Sequence, residues 1–476
     1  MPLLLLVLSL FLQDGAVREQ YEKKRLEAPQ TARGQTDLGR WCERVKLREE
    51  AVKAYERAIE IDPDFADARK ALGHKKVLGR WTSDKNYADP SWWAHPKVEQ
   101  KKVDAAVVRG GEWLLNNAHK LPEISHTIGS LKLRMEELVL LTLLESGWDR
   151  KDPRLTQLMQ RVLSLPLDRT YHVSLRAMCL AAIDPLKYQQ QLAQCAQYLV
   201  DNQADNGGWG YGQPTAIPAS FPAKEQGPVQ IETGNGGVAP AVSKLKQIEL
   251  KKLKPVGETM TDNSNAQYAA LGLRACLSGL VVVPKETIQA AESYWEKNQR
   301  SDGGWAYSGT GANRVPDDKS YGSMTAGAVG SLVIFKYYRS RVWRQAADWK
   351  GADSIKRGVE WLGKELDYAK NPNAPYNAWQ YYWFYAVERA GRLLETEQFA
   401  AKEWYPLGAD PLMGRQSADG SWTEEKWDAP GGTMSAKFML APGVTTETCF
   451  ALLFLRRATP KTDETIQIKT GSAASK

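Results

Sequence analysis

The chain has 476 residues, which predicts either two or three domains or one large repeat architecture. Hydrophobic residues make up 43% and charged residues 25%, an ordinary balance for a globular protein. The net charge of +7, without a patch of interleaved basic and aromatic residues, argues against nucleic acid as a partner. The 5 cysteines form no CxxC pair and the 5 histidines lack ligand spacing, so neither a disulfide framework nor a metal site is indicated.

The chain begins with an apolar run from Leu3 to Leu12, within the segment MPLLLLVLSLFLQDGA. The run is too short to cross a bilayer as a helix, which needs about 20 residues, but it suits the core of a signal peptide. No Lys or Arg precedes it, and the cleavage site near Gly15 or Ala16 is poor. We expect residues 1–16 to be a signal peptide and the protein to be exported, to the periplasm or the extracellular space.

Residues 17–80 are predicted to form a small helical segment. Between about 35 and 73 the pattern is that of two antiparallel helices followed by the start of a third. The positions of tetratricopeptide signature residues are held by Leu38, Gly39, Ala51, Tyr55, Ala58 and Pro63. The segment thus resembles one tetratricopeptide repeat and a fragment, which is too little for an independent solenoid. We interpret it as an adaptor packed on the main body, and a peptide-binding groove is the alternative.

After a linker over residues 81–102, the main body is predicted to be helical from 103 to 460, and a polar disordered tail follows over 461–476. Six segments are apolar on most sides, and such helices must be covered on both faces. They span 131–147, 170–183, 264–280, 323–338, 376–391 and 444–457. Six amphipathic segments alternate with them, at about 104–118, 154–164, 186–202, 285–299, 352–367 and 395–416. The alternation predicts an all-α fold, an (α/α)₆ toroid with an inner and an outer ring of helices.

One pattern recurs three times near the ends of predicted outer helices: a Gln, a tight polar turn and a Trp. The pairs are Gln203 and Trp209, Gln299 and Trp305, and Gln416 and Trp422. Gly, Asn and Asp in the turns tolerate positive φ, so the chain can reverse sharply. The Gln amide can pair with free backbone groups at a neighbouring helix end, while the Trp stacks and its N–H donates. We interpret each pair as a clasp between successive outer helices.

The three pairs resemble the QW repeats of squalene–hopene cyclases, within the superfamily of terpenoid cyclases and protein prenyltransferases. This resemblance, to the prenyltransferase and squalene oxidase repeat, covers roughly residues 103–458. It implies an α/α toroid with a central cavity, and it does not transfer an activity.

The resemblance makes Asp262 a candidate acid. Squalene–hopene cyclases protonate an alkene with the middle carboxyl of a DxDD motif that opens an inner helix. The matching stretch here is DNSN, in which Asp262 matches the first Asp, but Ser264 and Asn265 replace the other two. The family's proton donor is therefore missing, because the Ser264 hydroxyl cannot protonate an alkene. The alternative for Asp262 is a helix N-cap.

A second stretch with adjacent carboxylates is VPDD, Val315 to Asp318. We interpret its carboxylates as part of a solvated loop.

Glu447 is a second candidate acid. Protein prenyltransferases bind zinc through an Asp-x-Cys pair and a His, and the stretch ETCFALLFL resembles the part that contains the His but has Glu447 in its place. No Asp-x-Cys occurs, so a zinc-dependent prenyltransferase is not expected. If buried on an apolar inner helix, Glu447 would have a raised pKa. The alternative is a first-turn Glu favoured by the helix dipole.

Side chains on the predicted inner helices are candidates for lining the central cavity. They are Tyr171, His172, Ser264, Asn265, Tyr268, Met324, Trp379, Tyr382 and Trp383. In a cyclase, aromatic rings at such positions stabilise cationic intermediates. The alternative is that they fill the core between the two rings, and for Tyr171 and His172 we favour that structural role.

Residues 213–260 form a long insertion that is rich in Pro and Gly and has no inner-helix pattern. Loops of this length are usually functional or disordered. Within it Val242, Leu245 and Ile248 fall at helical spacing among lysines, which predicts a basic amphipathic helix over 241–254. Such a helix can lie on an anionic membrane surface, and a solvated lysine face on the toroid rim is the alternative.

The sequence favours a non-catalytic toroid that binds a hydrophobic small molecule or a protein partner, because the scaffold is intact and both catalytic motifs are degraded. The alternative is an isoprenoid cyclase-like enzyme, an isomerase or lyase, that uses Asp262 or Glu447 as its acid. A third possibility, polysaccharide processing, has no paired-carboxylate motif to support it. No cofactor is expected.

Overall fold

A computed structural model describes most of the chain. The described residues are 17–62, 64–77, 80–82, 94–121, 125–128, 131–225, 229–230, 246–253, 260–308, 319–343, 345, 348–374, 379–423, 443–462 and 469–470. The chain divides into two compact units, one of residues up to Pro90 with Asp149–Asp152, and one of the remainder. The predicted signal peptide and the VPDD loop lie outside the described residues.

The first unit is built mainly from helices. Its elements are α1 (residues 17–27), α2 (Ala32–Arg44), α3 (Arg48–Ile61), α4 (Ala66–Ala71), β1 (Lys75–Val77) and β2 (Arg80–Thr82). The helices α2 and α3 approach closely because Gly39 has no side chain, and a Cβ there would lie 2.5 Å from the Tyr55 ring. Tyr55 is 2% exposed and packs among small residues such as Ala51 and Ala58. The predicted helix pair is therefore present, preceded by α1, which the sequence did not predict.

The second unit contains twelve described helices that alternate between two kinds. Six are buried along nearly their whole length: α6 (Glu136–Glu145), α8 (Thr170–Ile183), α10 (Asn263–Ser278), α12 (Gly322–Val342), α14 (Gln380–Leu394) and α16 (Gly443–Leu455). Six carry an exposed face: α5 (Gln100–Asn117), α7 (Pro153–Ser164), α9 (Gln189–Asp201), α11 (Lys285–Asn298), α13 (Asp353–Glu365) and α15 (Trp404–Gly414).

The buried helices form a closed ring. Each contacts the next along the chain, from α6 through α8, α10, α12 and α14 to α16, and α16 returns to contact α6. The partly exposed helices surround this ring, since α9 contacts both α8 and α10, α11 and α13 both contact α12, and α15 contacts α5. The predicted all-α (α/α)₆ toroid is confirmed.

Two predicted helix starts are wrong. The segment 131–147 begins as a strand, β4 (Leu131–Arg134), which pairs with β3 (Ser125–Ile128), and its helix starts only at Glu136. The segment 395–416 begins with a hairpin of β9 (Gln398–Phe399) and β10 (Lys402–Glu403). Glu395 and Ala400 adopt positive φ there, so the chain leaves α14 and reverses before α15 begins.

The basic amphipathic helix predicted over 241–254 is also wrong in its described part. Residues Lys246–Glu249 form a strand, β7, which pairs antiparallel with β5 (Ala223–Glu225) and parallel with β8 (Val281–Val282). Ile248 is fully buried in this small sheet, and its neighbours on the strand face outward, so strand alternation replaces the helical spacing. A further short pair joins β6 (Val229–Gln230) to β11 (Lys469–Thr470).

Each of the three Gln side chains bridges two outer helices. Its amide donates to a carbonyl within its own turn and to a carbonyl near the start of the next outer helix. The acceptors are Gly207 and Thr287 for Gln203, Gly303 and Ser354 for Gln299, and Gly420 and Ala106 for Gln416, at 2.8 to 3.0 Å. The Gln416 bond joins α15 to α5, so this clasp connects the last outer helix to the first.

Each Trp of the pattern is fully buried and donates its ring N–H back to the outer helix that precedes it. The acceptors are Leu199 for Trp209, Trp295 for Trp305 and Leu412 for Trp422, at 2.7 to 2.8 Å. Two of these indoles lie against a glycine of the next outer helix, Gly358 beside Trp305 and Gly110 beside Trp422. The Gln therefore connects the turn to the next outer helix, and the Trp connects it to the preceding outer helix.

A glycine in each turn is required by both backbone conformation and space. Gly207, Gly303 and Gly420 have φ of 90°, 90° and 98°, which L side chains rarely adopt. A Cβ at Gly420 would lie 2.6 Å from the Arg109 carbonyl oxygen of α5. The repeated glycine thus allows the turn to press against the backbone of the neighbouring helix.

Candidate functional site

The N-terminal ends of the inner helices meet around one opening of the toroid. Thr446 in the first turn of α16 contacts Met135, which caps α6, and the backbone N–H of Arg134 donates to His172 in the first turn of α8. Most long connections, including the insertion between α9 and α10, run from an outer helix to an inner helix and so reach this end. This is therefore the end at which loops and helix N-termini can build a site.

Backbone hydrogen bonds hold four chain segments together at this opening. Thr170 donates to Tyr211, Asp262 donates to Trp209, and Asn263 donates to Tyr307, at 2.8 to 3.1 Å. Two of the segments directly follow clasps, since Tyr211 and Tyr307 stand two residues after Trp209 and Trp305. The clasps thus fix the positions of the two tyrosines beside the start of α10.

Asp262 is the N-cap of α10, as the alternative interpretation of the sequence predicted. Its carboxylate accepts from the backbone N–H of Asn265 at 2.8 Å, the Asn265 side-chain amide at 2.8 Å and the Ser264 hydroxyl at 2.5 Å. Burial raises its pKa, and these hydrogen bonds oppose the rise. Ser264 and Asn265, the residues that replace the missing carboxyls, therefore serve to hold Asp262.

Three tyrosines surround this carboxylate, and we call Asp262, Tyr171, Tyr211 and Tyr307 together the tyrosine cleft. Asp262, Tyr171 and Tyr211 are half-buried, and Tyr307 is 38% exposed, so the cleft is open to solvent. The Tyr171 and Tyr211 ring centroids lie 6.2 Å apart, and the Tyr307 hydroxyl lies 3.4 Å from the Ser264 hydroxyl. Burial raises the pKa of Tyr211 to about 12, and the nearby Asp262 carboxylate adds to the rise.

Further aromatic rings continue from the cleft across the centre of the inner ring. Tyr268 lies 4.6 Å from Tyr171 and 6.3 Å from Tyr382, and Trp379 meets the Tyr382 ring edge-on at 6.2 Å. Tyr268 and Tyr382 belong to α10 and α14, which are separated in the ring by α12. Trp379 caps α14 with a φ of 63°, a conformation that a bulky residue rarely adopts. The rings therefore form a continuous aromatic cluster, in which Tyr268 and Tyr382 are buried and Trp379 is half-buried.

Arg389 is buried inside the ring, in contact with these aromatic side chains. Its guanidinium lies over the rings of Tyr385, Tyr382 and Tyr268, at 4.2, 5.3 and 5.6 Å, and donates to Gln267 of α10 at 2.7 Å. The side chain is 2% exposed. Because it reaches from α14 to α10, it links two inner helices that are not neighbours in the ring, and it packs against the aromatic cluster from inside.

The other predicted cavity residues lie in varied surroundings. Met324 is buried, with its sulfur 3.9 Å from the Gln267 amide. His172 accepts from the backbone N–H of Arg134 at 3.0 Å, and its Nδ1 lies 2.9 Å from Asp168, a structural arrangement. Trp383 donates to the carbonyl of Asp367, just beyond α13, so its indole lies between the inner and outer rings.

Glu447, the second candidate acid, is 3% exposed in α16. The two candidate acids lie on different inner helices, and each neighbours a different part of the ring. Asp262 belongs to the tyrosine cleft, whereas the residue next to Glu447, Thr446, contacts Met135 beside α6. The structure therefore places the two candidate acids in different surroundings at the inner-helix N-termini.

A groove lies at the outer rim, beside the first clasp. It is a groove of about 590 Å³ that shares no residue with the tyrosine cleft. Its lining comprises Gln203, Ala204, Asp205, Leu250, Lys251, Lys252, Pro284, Glu286, Thr287 and Ala290. Lys252 donates to the Gln203 carbonyl at 3.1 Å, so one of its lysines is engaged in holding the insertion.

Sequence reasoning missed Tyr211, Tyr307 and Arg389. A signal for the tyrosines was present, because the first two clasps continue as Trp-Gly-Tyr and Trp-Ala-Tyr. Arg389 had a weaker signal, an arginine within the aromatic stretch that becomes α14.

Glu388, next to Arg389, gives the toroid a testable pH dependence. It is fully buried and accepts from the N–H and the hydroxyl of Thr459 at 2.9 and 2.7 Å. Burial raises its pKa from 4.5 to about 7. The folded protein therefore binds this proton more tightly than the unfolded chain does. As pH rises from about 4.5 to about 7, the free energy of unfolding falls by about 3 kcal/mol.

We expect the variant Glu388→Gln to lose this dependence. Melting temperatures of both proteins are measured between pH 4.5 and 8. The difference between the wild type and the variant should shift in favour of the wild type at the acidic end and in favour of the variant at the basic end. A difference in melting temperature that stays constant over this pH range would show that Glu388 keeps an ordinary pKa.

Within the described residues, no helix is long and apolar enough to span a membrane. The same residues contain no group of three or more His, Cys, Asp and Glu side chains that could hold a metal ion.

Residues 49–76 match the TPR repeat family, in agreement with the tetratricopeptide-like signature in this part of the chain. No curated protein matches the chain.

Among solved structures, the chain is similar to a type II terpene cyclase from Scytonema, solved with geranylgeranyl dihydroxybenzoate as substrate. The identity is 14%, the coverage is 76% of this chain and 98% of that one, and the TM-score is 0.41. A possible member of the GH105 family from Salmonella enterica shows 10% identity over 79% and 97% of the chains, with a TM-score of 0.43. A polysaccharide lyase shows 14% identity over 74% and 89%, with a TM-score of 0.28. These scores are low, and the closed ring is established by contacts within the chain.

Proposed function

We propose that the toroid is a binding protein that takes up a small molecule with apolar surface in the tyrosine cleft. The observation that carries this proposal is the partly exposed aromatic surface at the inner-helix N-termini. Tyr171 and Tyr211 are half-buried and Tyr307 is 38% exposed, and the buried rings of Tyr268 and Tyr382 pack behind them. Concave sites with apolar walls and a few fixed polar groups are typical of small-molecule binding.

The cleft is less suited to starting a polyene cyclisation. An acid that protonates an alkene must hold its own proton in an apolar, water-poor cavity. Asp262 instead accepts three hydrogen bonds, which favour the ionised carboxylate, and the Ser264 hydroxyl that donates to it lies 3.4 Å from the Tyr307 hydroxyl.

A cyclase-like activity remains the second candidate, because burial raises the pKa of Asp262 and so favours the protonated acid. Incubation of the purified protein with squalene tests it. Cyclised product that disappears in Asp262→Asn would support the enzyme and contradict a purely binding role.

Binding is tested with N-phenyl-1-naphthylamine, a neutral dye whose fluorescence rises in apolar surroundings. We expect the wild type to bind the dye saturably, and Tyr171→Leu and Tyr307→Leu to bind it at least tenfold more weakly. The expected loss corresponds to about 1.4 kcal/mol per tenfold change. Both variants remove an aromatic face that the ligand would contact.

Tyr188→Leu is the matched control, since Tyr188 is also half-buried but stands before α9, outside the cleft. This variant should bind the dye as the wild type does. Absence of saturable binding to the wild type, or equal losses in the control and cleft variants, would contradict the proposed function.

A further inference from the structure

The carboxylate of the tyrosine cleft has no cationic partner among the described residues. The donors among the described residues are neutral, and they include the Ser264 hydroxyl, the Asn265 backbone N–H and the Asn265 side-chain amide. Two described guanidiniums near the aromatic rings have other partners: that of Arg389 donates to Gln267 and lies over tyrosine faces, and that of Arg169 donates to the Gly212 carbonyl beside Tyr211. A half-buried carboxylate without a counter-ion attracts a positive charge strongly, because water screens it only in part.

The three tyrosines beside this carboxylate present the kind of surface that binds organic cations. The face of an aromatic ring carries negative electrostatic potential, and several rings around one point attract an ammonium group. Tyr171 and Tyr211 lie 6.2 Å apart, and the electrostatic influence of Asp262 reaches both phenols.

The arrangement is fixed before any ligand arrives. The backbone bonds from Thr170 to Tyr211 and from Asn263 to Tyr307, at 2.8 and 3.0 Å, tie two tyrosines to inner helices. The third, Tyr171, lies in the first turn of α8. A site organised in this way loses little conformational entropy on binding.

We propose that the tyrosine cleft recognises an ammonium group, so that the small molecule bound by the toroid is an organic cation. Asp262 supplies the negative charge, and Tyr171, Tyr211 and Tyr307 supply the aromatic walls. A metal ion fits less well, because the cleft offers one carboxylate and Mg²⁺ or Ca²⁺ needs several oxygen ligands. This inference rests on the proposed binding function.

The test compares choline with its neutral isostere 3,3-dimethyl-1-butanol, which has the same shape without the charge. In ligand-observed NMR titrations of the full chain, choline is expected to bind with a Kd on the order of 1 mM. The isostere should bind at least tenfold more weakly. Asp262→Asn, which retains a residue favoured at N-caps, should weaken choline binding at least tenfold and leave the isostere unchanged.

Asp353→Asn is the control, because the Asp353 side chain is 89% exposed on the outer helix α13. Its affinity for choline should equal that of the wild type, and matching melting temperatures would show that the Asp262 variant is folded. Equal affinities for choline and the isostere, or choline binding that survives Asp262→Asn, would overturn the inference. If choline binding fails but the neutral dye still binds, the proposed binding function stands and only the ammonium inference is wrong. If the dye does not bind either, the proposed function and the ammonium inference are both wrong.

Discussion

Replacing Trp422 by Ala is expected to destabilise the toroid by about 4 kcal/mol, as for other large aromatic side chains removed from a core. The indole is fully buried, donates to the Leu412 carbonyl at 2.8 Å, and lies against Gly110 of α5. The substitution removes this contact between the last and first outer helices and leaves the carbonyl of Leu412 without its donor. Chemical denaturation followed by far-UV circular dichroism measures the effect.

Two variants sharpen this prediction. Trp422→Phe keeps most of the apolar contact and loses the N–H, so its cost should be about 1 to 2 kcal/mol. Trp349→Ala is the control, since Trp349 is not fully buried and packs edge-on against Tyr337. Its cost should stay below that of both Trp422 variants. If Trp422→Ala is no worse than Trp349→Ala, the clasp does not stabilise the ring.

Arg389→Ala is expected to cost about 3 to 5 kcal/mol, the second large effect. The guanidinium occupies the centre of the ring among Tyr268, Tyr382 and Tyr385 and donates to Gln267. Truncation leaves a cavity among these tyrosines and the Gln267 oxygen without its donor. The same denaturation measurement applies.

Arg389→Met separates the effect of the cavity from the effect of the lost hydrogen bond to Gln267. Methionine fills most of the volume without the charge, and uncharged replacements of buried ionic groups are often tolerated. We expect it to cost clearly less than Arg389→Ala. Equal costs for the two variants would show that the lost hydrogen bond, and not the cavity, dominates. Wild-type stability of Arg389→Ala would contradict the placement of this side chain.

The ring of helices could be predicted because inner and outer helices differ in how apolar and polar residues are distributed around them, and the sequence shows this distribution directly. Inner helices such as α10 are buried on all sides and lack polar stripes, whereas outer helices such as α13 have a clear apolar face. The spacing of Gln and Trp likewise indicated joints between outer helices, where the Gln203, Gln299 and Gln416 amides make their hydrogen bonds.

The strands of the insertion could not be predicted in the same way. Ile248 stands among lysines at a spacing that fits a helix, yet it is buried because β7 lies between β5 and β8. That environment depends on residues distant in sequence, since β8 follows α10. Tertiary contacts override local pattern in short segments of this kind.

The site could be predicted only in part. The N-cap at Asp262 follows from local sequence, because Asp before a helix accepts from its first-turn N–H groups. The tyrosines beside it come from three other segments, which meet only when the ring closes. Arg389 shows the same limit: periodicity places it on an inner helix but does not reveal that it reaches Gln267 on α10.

Closure of the ring is tested most directly by carbodiimide cross-linking and mass spectrometry of the intact protein at low concentration. Lys97, just before α5, and Glu403, just before α15, form an ion pair that only a closed ring brings together. The reagent should convert this pair into an intramolecular amide. Lys224 and Glu249, 3.3 Å apart in one hairpin-like strand pair, serve as an internal reference. A reference link without any Lys97–Glu403 link would contradict the closed toroid and indicate an open superhelix.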